Sequence, residues 1–454
     1  MGEKPRLFGT DGMRGVAGRY PLDPETVSKT GKALGSVLGE NGRRRRARVV
    51  LGEDTRESSA AIARALAAGL RAENIEVAYA GVITTPGIAY LARRGGFDAG
   101  VVISASHNPF EDNGIKILSG EGTKLSDTVE LEIERRMLGT EPVQSLASLD
   151  FSPALAELYA HHLAELVGPG LDFSSFRLVV DCANGAASRI APELVGRLGV
   201  RAEILNARPD GRNVNQNCGA LYPQEMTAAT RQAQADLGVA FDGDADRAIF
   251  AMRDGRVADG DFVLYAAANY LHDRGALGGG AVVGTAMSNY GLEVALAGRG
   301  IGLKRTDVGD KYVLEEMLRS GANLGGEPSG HIIFADRSLA GDGLVTLLEM
   351  LRIMTETGQE FAEVVRGLHP FPQKITNVRV REKPPLESVP GVGEALAACR
   401  DELGKRGRVV VRYSGTEPVA RVMVEAESAE LVERHVTRIA EAIARTLGSA
   451  EGKP

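Results

Sequence analysis

Short apolar strands alternating with amphipathic helices predict an α/β protein of several domains, and three observations carry that prediction. First, one pattern recurs. Val101–Ile103, Leu178–Val180 and Val239–Phe241 are short apolar runs that each open into a polar loop of Ser, Asp, Asn and Gly. Second, a chain of 454 residues is too long for one hydrophobic core, so about three domains or more are expected. Third, the C-terminal part changes character, with Val- and Arg-rich strands followed by one long amphipathic helix.

Taken in order, Val49–Leu51 reads as a strand, and the stretch after Thr55 places Ile62, Leu66 and Leu70 on one helical face. The three strand–loop units follow, and a fourth lies at 323–334, where GGEPSGH leads into Ile332 and Ile333. Loops at strand ends are where α/β sheets bind ligands. FPQKITNVRVREK and GRVVVRYSGTEPVARVMVEAE read as strands of a smaller α+β domain. Its last helix carries Val432, Val436, Ile439, Ile443 and Leu447 on one face, and Gly448 is its stop. Boundaries are expected near residues 151, 253 and 368, which gives domains 1–151, 152–253, 254–368 and 369–454 with His369–Pro372 as a linker.

A formal net charge of −7 argues against a general nucleic-acid binder, and the basic run Arg43–Arg46 reads as a solvated loop. Three widely spaced cysteines (Cys182, Cys218, Cys399) form neither a disulfide framework nor a zinc spacing, which suits a reducing cytosol. No apolar run is long enough to span a bilayer, and the N-terminus has no signal-peptide core. The expectation is a cytoplasmic protein without nucleic-acid or membrane partners.

Four loops carry chemistry. Ser104-Ala105-Ser106-His107-Asn108-Pro109 places a serine after a small residue at a strand end, where it can face a cleft, with His107 and Lys116 near enough in sequence to hold a phosphate or exchange a proton. Asp242-Gly243-Asp244-Ala245-Asp246-Arg247 puts three carboxylates at alternate positions. Two carboxylates about 4 Å apart repel by roughly 4 kcal/mol at an effective dielectric near 20, so a convergent triple needs a cation. Oxygen-only ligands favour a hard one such as magnesium, which completes its shell with phosphate oxygens. A phosphoserine would supply those oxygens, and Arg247 a further positive partner. In Glu327-Pro328-Ser329-Gly330-His331, an extended backbone would turn Glu, Ser and His to one side as acceptor, hydroxyl and imidazole for vicinal sugar hydroxyls. In Arg412-Tyr413-Ser414-Gly415-Thr416-Glu417, hydroxyls and N–H groups can meet a phosphate that Arg412 and Arg421 clamp. Neither a Walker A sequence nor a complete G-x-G-x-x-G occurs.

These loops, in this order, resemble the α-D-phosphohexomutase family, and the likeness covers essentially the whole chain. It is carried by GTDGMRG (Gly9 to Gly15), ISASHNPFEDNGIK, DCANGA, NQNCGA, FDGDADR, VGDKYV, GGEPSGH, GDG and RYSGTEPVARVMVE. The resemblance implies four domains around a central cleft: three related α/β domains with mixed sheets and a smaller C-terminal α+β domain. It implies that Ser106 carries phosphate, and that Asp242, Asp244 and Asp246 bind one magnesium ion completed by a phosphoserine oxygen. Arg14, His107, Lys116 and Arg247 would line the phosphoryl-transfer site, with Lys116 first for proton transfer. Glu327, Ser329 and His331 would bind the sugar, and Arg412, Ser414, Gly415, Thr416 and Arg421 its distal phosphate. A hexose 1,6-bisphosphate is the implied intermediate and activator, and the assembly a monomer or homodimer. Glucosamine phosphate is the expected substrate, with mannose or glucose phosphate the alternative.

Two residues depart from the family pattern. Pro328 stands where members acting on glucosamine phosphate usually carry Gln, which alters the hydroxyl contacts of that loop. Ala245 stands in place of a usual Gly, which predicts that this position avoids positive φ. Two rival readings suit parts of the sequence. VAFDGDAD also suits a haloacid-dehalogenase-type phosphatase or mutase with an aspartate nucleophile, but Asp246 occupies a position where that class carries Thr or Val. A non-catalytic sugar-phosphate sensor would have no use for Ser106, three aspartates and both arginines together.

Overall fold

The computed structural model describes residues 7–9, 11–40, 45–168, 170–414 and 418–448. They form two compact units, Met1–Met287 with Ile301–Arg366, and Ser288–Gly300 with Gly367–Pro454.

In the larger unit three sheets repeat one topology. The first contains β1 (Met13–Val16), β2 (Arg48–Glu53), β3 (Glu76–Val82), β4 (Ala99–Ile103) and β5 (Asp112–Ser119), in the order β1-β5-β4-β2-β3. β4, β2 and β3 are parallel, whereas β5 and β1 run antiparallel to their neighbours. The second sheet contains β6 (Arg177–Asp181), β7 (Arg201–Leu205), β8 (Leu237–Phe241), β9 (Ala248–Ala251) and β10 (Val257–Ala258). Its order, β10-β9-β8-β6-β7, reproduces the four inner and parallel strands of the first, with an outer strand that ends the repeat where β1 begins it. The third, β12-β11-β13-β14, repeats it without the outer strand, from β11 (Ala281–Thr285), β12 (Gly302–Thr306), β13 (Leu324–Gly326) and β14 (Ile332–Phe334).

The shared feature positions the site. In each sheet a parallel strand (β4, β8 or β13) turns straight back into an antiparallel neighbour, and the connecting loops are 104–111, 242–247 and 327–331. Every residue of β4 and of β8 is buried, as expected of central strands covered on both faces. Helix Ser59–Ala72 supplies part of that cover with Ile62, Leu66 and Leu70, all buried in the core of the first sheet. Helix Gly343–Thr357 begins beside the second loop. Asp342 caps it by accepting from the Leu344 and Val345 N–H groups at 2.9 and 3.1 Å, and Gly343 N donates to the Ala245 carbonyl at 3.0 Å.

The smaller unit is α+β. Its antiparallel sheet runs β15-β17-β16, from β15 (Gln373–Arg379), β16 (Gly407–Tyr413) and β17 (Val419–Ala426). Helices Val392–Leu403 and Ala429–Leu447 share a core with it in which Val432, Val436, Ile439, Ile443 and Leu447 are buried, and the last helix stops before Gly448. Among the described residues, no helix is long and apolar enough to cross a membrane.

Candidate active site

The serine loop leaves β4 at Ile103. Ser106 sits there at φ 52°, a left-handed conformation that L-residues adopt at a cost. Its hydroxyl donates to Asp242 Oδ2 at 2.5 Å, and its Oγ lies 3.2 Å from His107 Nδ1. The expected exposure of Ser106 is not found: it is 1% exposed. The reason is the loop 242–247 packed on it, since a Cβ on Gly243 would lie 2.4 Å from the Ser106 carbonyl oxygen. His107 is half-buried, and burial, with Arg247 and Arg14 nearby, pushes its imidazole down to about 4.

In the second loop, Asp242, Asp244 and Asp246 converge, each offering a carboxylate oxygen within 4.8 Å of the others. Asp244 Oδ2 accepts from Lys116 Nζ at 2.8 Å and from Thr85 Oγ1 at 2.5 Å. Asp244 Oδ1 and Asp246 Oδ1 are buried without a hydrogen-bond partner. Burial, then the charges of Asp246 and Asp244, push the Asp242 carboxyl well above its ordinary range. Burial also acts on Asp246, but Lys116, His331 and Arg247 outweigh it and hold that carboxyl below its usual range. Unpartnered carboxylate oxygens, mutual repulsion and an all-oxygen donor set fit a hard divalent cation, with Ser106 Oγ adjoining. The loop reaches this arrangement with Ala245 at φ 56°. The expectation that this position avoids positive φ is therefore corrected: the turn demands a left-handed residue, and Ala occupies it under strain.

Around these loops lies a dense charge network. Lys116 Nζ is 2.8 Å from Asp244, 3.1 Å from Asp11 and 3.6 Å from Asp246. Burial works to lower its pKa, but Asp11, Asp244 and Asp246 raise it well above the ordinary lysine value. As it stands Lys116 is a positive charge and proton donor, not a proton acceptor. Lys124 Nζ joins Asp11 and Asp310, both at 2.6 Å. Arg14 pairs with Asp11, and its Nη1 donates to Asn108 Oδ1 at 3.2 Å.

The third loop is a tight hairpin turn, not the extended segment expected. Glu327 N donates to the His331 carbonyl at 2.9 Å and Gly330 N to the Glu327 carbonyl at 3.0 Å. The turn still gathers its polar side chains: Glu327 Oε1 accepts from Gly309 N at 3.1 Å, and Ser329 Oγ is 3.5 Å from Glu327 Oε2. His331 Nδ1 lies 3.6 Å from Asp246 and Nε2 3.8 Å from Asp310. Burial pushes this imidazole down, but the adjoining carboxylates of Asp246 and Asp310 lift it to about 9. A cavity of about 440 Å³ is lined by Arg14, His107, Asp246, Arg247, Glu327 and His331, so three separate loops meet at one space.

In the smaller unit, Arg412 and Arg421 sit directly opposite each other across β16 and β17. Like charges facing across a sheet repel, and an anion relieves that. Ser414 follows; its N–H donates to the Val419 carbonyl at 2.9 Å, and its carbonyl accepts from Lys383 Nζ at 2.6 Å. Gly415 and Thr416 lie outside the described residues.

Sequence reasoning gave no role to Asp11, Thr85, Lys124 or Asp310. Asp11 and Asp310 do fall in GTDGMRG and VGDKYV, and a charged residue flanked by glycine in each was the available signal. Nothing local marks Thr85 or Lys124.

Comparison with known proteins places this geometry. The phosphoglucomutase/phosphomannomutase alpha/beta/alpha domains I, II and III match residues 5–143, 157–255 and 259–371, and the C-terminal domain of the same set matches 375–442. The chain is 51% identical to the phosphoglucosamine mutase of Koribacter versatilis, with 98% of each covered. It is 48% identical to that of Solibacter usitatus, covering 97% of this chain and 99% of the relative. Its fold is similar to the crystal structure of a phosphoglucomutase/phosphomannomutase family protein from Burkholderia thailandensis, with a TM-score of 0.78, 24% identity and 97% of each chain covered.

Proposed function

The chain belongs to the α-D-phosphohexomutase family, and on that premise we propose that it is an isomerase interconverting glucosamine 6-phosphate and glucosamine 1-phosphate through a phosphoserine at Ser106. The observation that carries the reading is Ser106 Oγ, 2.5 Å from Asp242 at the edge of three convergent aspartates.

Phospho-Ser106 gives its phosphoryl group to the free hydroxyl of a sugar monophosphate. The bond from phosphorus to Oγ breaks as one to the sugar oxygen forms, and the proton lost by the sugar hydroxyl balances the one gained by Oγ, leaving a hexose 1,6-bisphosphate and a free serine. That intermediate turns end for end and returns its other phosphate to Ser106. Asp242, Asp244, Asp246 and a phosphoserine oxygen are assigned to one magnesium ion, which when bound supplies charge neutralisation for the transferring group. Lys116 and Arg247 add positive charge there, and Lys116 Nζ can give a proton to the departing Oγ. His107, neutral at pH 7, can take one from Oγ as the serine is rephosphorylated. Glu327, Ser329 and His331 are assigned to the sugar hydroxyls, Arg14 to the reacting phosphate, and Arg412, Ser414 and Arg421 to the phosphate that is not reacting. Three buried free cysteines suit a reducing compartment, and a cytoplasmic location is part of the proposal.

The sugar is read from the full-length relatives. Pro328 in the sugar loop favours a second reading, mannose or glucose phosphate, because proline withholds an N–H from that turn. A coupled assay with the three sugar phosphates and catalytic bisphosphate decides between them, with glucosamine phosphate expected to give the highest kcat/KM. Ser106→Ala is expected to bring isomerisation to background; undiminished turnover in that variant overturns the mechanism.

A further inference from the structure

The serine loop is anchored by a buried ion pair that the catalytic reading does not use. Asp54 and Arg56, just beyond β2, pair with each other, and neither side chain has exposed surface. Asp54 Oδ2 accepts from Ser104 Oγ at 2.6 Å, and Ser104 Oγ accepts from the Ser106 N–H at 2.9 Å. Arg56 Nη2 donates to the Ser106 carbonyl at 3.1 Å and the Asn108 carbonyl at 2.5 Å. The same two carbonyls receive a second donor from the loop before NQNCGA closes: Asn215 Nδ2 lies 2.9 Å from the Ser106 oxygen and 3.2 Å from that of Asn108.

Asn215 is also tied to the metal loop. Its N–H donates to the Ala183 carbonyl at 2.9 Å, and in the same DCANGA turn the Ala186 N–H donates to the Gly243 carbonyl at 2.8 Å. A Cβ on Gly243 would lie 2.9 Å from Asn215 Nδ2, so the amide lies against the backbone of that loop. The N–H of a left-handed serine is thus held by Ser104, and its carbonyl by Arg56 from beside the first sheet and Asn215 from beside the second.

We infer that Arg56 and Asn215 are positioning residues for phosphoryl transfer: their shared grip on the Ser106 and Asn108 carbonyls fixes Oγ against Asp242 and keeps the phosphoserine from reacting with water. The inference deepens the mutase reading and rests on Ser106 as the phosphate carrier. Without the grip, the left-handed backbone relaxes and Oγ drifts from its line of transfer. A displacement of about 1 Å costs about 10²-fold in rate. Water then competes better with the sugar. The bond from phosphorus to Oγ breaks, one to the water oxygen forms, and inorganic phosphate leaves a free serine.

The test uses the full chain with Asn215→Asp, which keeps the shape and removes the donors, and Arg56→Lys, which keeps the charge and loses the fork. Asn215→Ser replaces the Asp variant if its melting temperature falls. Each protein is loaded with hexose 1,6-bisphosphate, and three quantities are read: phosphate on Ser106 by intact mass, kcat and KM for isomerisation, and inorganic phosphate released per isomerisation. The expected result is phosphorylated variants whose kcat falls by about 10-fold to 10²-fold with KM near wild type. Phosphate release per isomerisation should rise. Simple loss of folded protein would lower both rates together and leave their ratio unchanged, and that result overturns the inference. So do phosphorylated variants with wild-type kcat and ratio, which leave the mutase reading intact. A wild-type chain that takes up no phosphate on Ser106 overturns both.

Discussion

The serine loop 104–111 and the metal loop 242–247 occupy equivalent places in equivalent sheets, each with a left-handed non-glycine residue, Ser106 at φ 52° and Ala245 at φ 56°. They are held in opposite ways. Side chains grip the serine loop: Arg56 and Asn215 donate to its carbonyls, and Ser104 Oγ accepts from its N–H. The metal loop is held by backbone, through Ala186 N to the Gly243 carbonyl and Gly343 N to the Ala245 carbonyl. Their electrostatics also differ. Beside the serine, nearby cations and burial hold His107 neutral, whereas three acids are packed together in the metal loop with two carboxylate oxygens unpartnered. On the proposed reading, one topology carries a nucleophile on one repeat and a cation site on the next. The division follows from side chains that flank the strand ends, not from the strands.

Four measurements would break or sharpen that contrast. The largest effect is expected from Asp244→Asn. It removes one carboxylate of the triad and weakens the partner of Lys116 and Thr85, so magnesium affinity by calorimetry should collapse and turnover fall by about 10³-fold. Retained magnesium binding would show that Asp244 is no ligand and answers only to Lys116 and Thr85. Gly243→Ala comes next, because its methyl would meet the Ser106 carbonyl where the loops touch. Overpacking of this kind costs about 1–3 kcal/mol in urea unfolding. Turnover should fall by more than the lost folded fraction explains.

Glu53, beside Asp54 under the serine loop, provides the third. Burial pushes its carboxyl up to about 7 from 4.5, and Asp54 adds to the shift. The folded state therefore holds this proton more tightly than the unfolded state. Its contribution is complete below about pH 4.5 and is lost as pH rises through about 7, at roughly 1 kcal/mol per pH unit. Glu53→Gln should flatten that part of the pH–stability curve, and an unaltered slope would place the titration elsewhere. The smallest effect belongs to Ala245→Gly. Relief of the left-handed backbone, less the entropy glycine adds to the unfolded chain, should raise stability by about 0.5 kcal/mol in thermal unfolding. A loss instead would mean that the Ala methyl packs usefully in the loop.

Much of this arrangement is legible in residue order. The apolar runs at β4 and β8 are strands because five consecutive buried positions leave no other use for them, and β6 follows with four. The helix face Ile62, Leu66, Leu70 and the C-terminal stripe ending at Leu447 are simple periodicity. The alternate aspartates announce a cation because local spacing alone brings them together. What failed to show was anything decided by a distant segment. Ser106 reads as an exposed strand-end serine, yet Gly243 covers it from another sheet. Glu327, Ser329 and His331 read as an extended row, yet pairing of β13 with β14 folds them into a turn.

By itself the sequence determined the repeated strand–loop units, the three carboxylates, the candidate phosphate carrier and the absence of Walker-type nucleotide loops, because each is a property of neighbours along the chain. Tertiary structure alone decided that Lys116 joins Asp11, Asp244 and Asp246, that Asp11 and Asp310 share Lys124, and that Arg56 and Asn215 hold the same two carbonyls. Each of those facts is an interaction between charges or dipoles far apart in sequence. Its strength depends on distance and burial, which no stretch of residues contains.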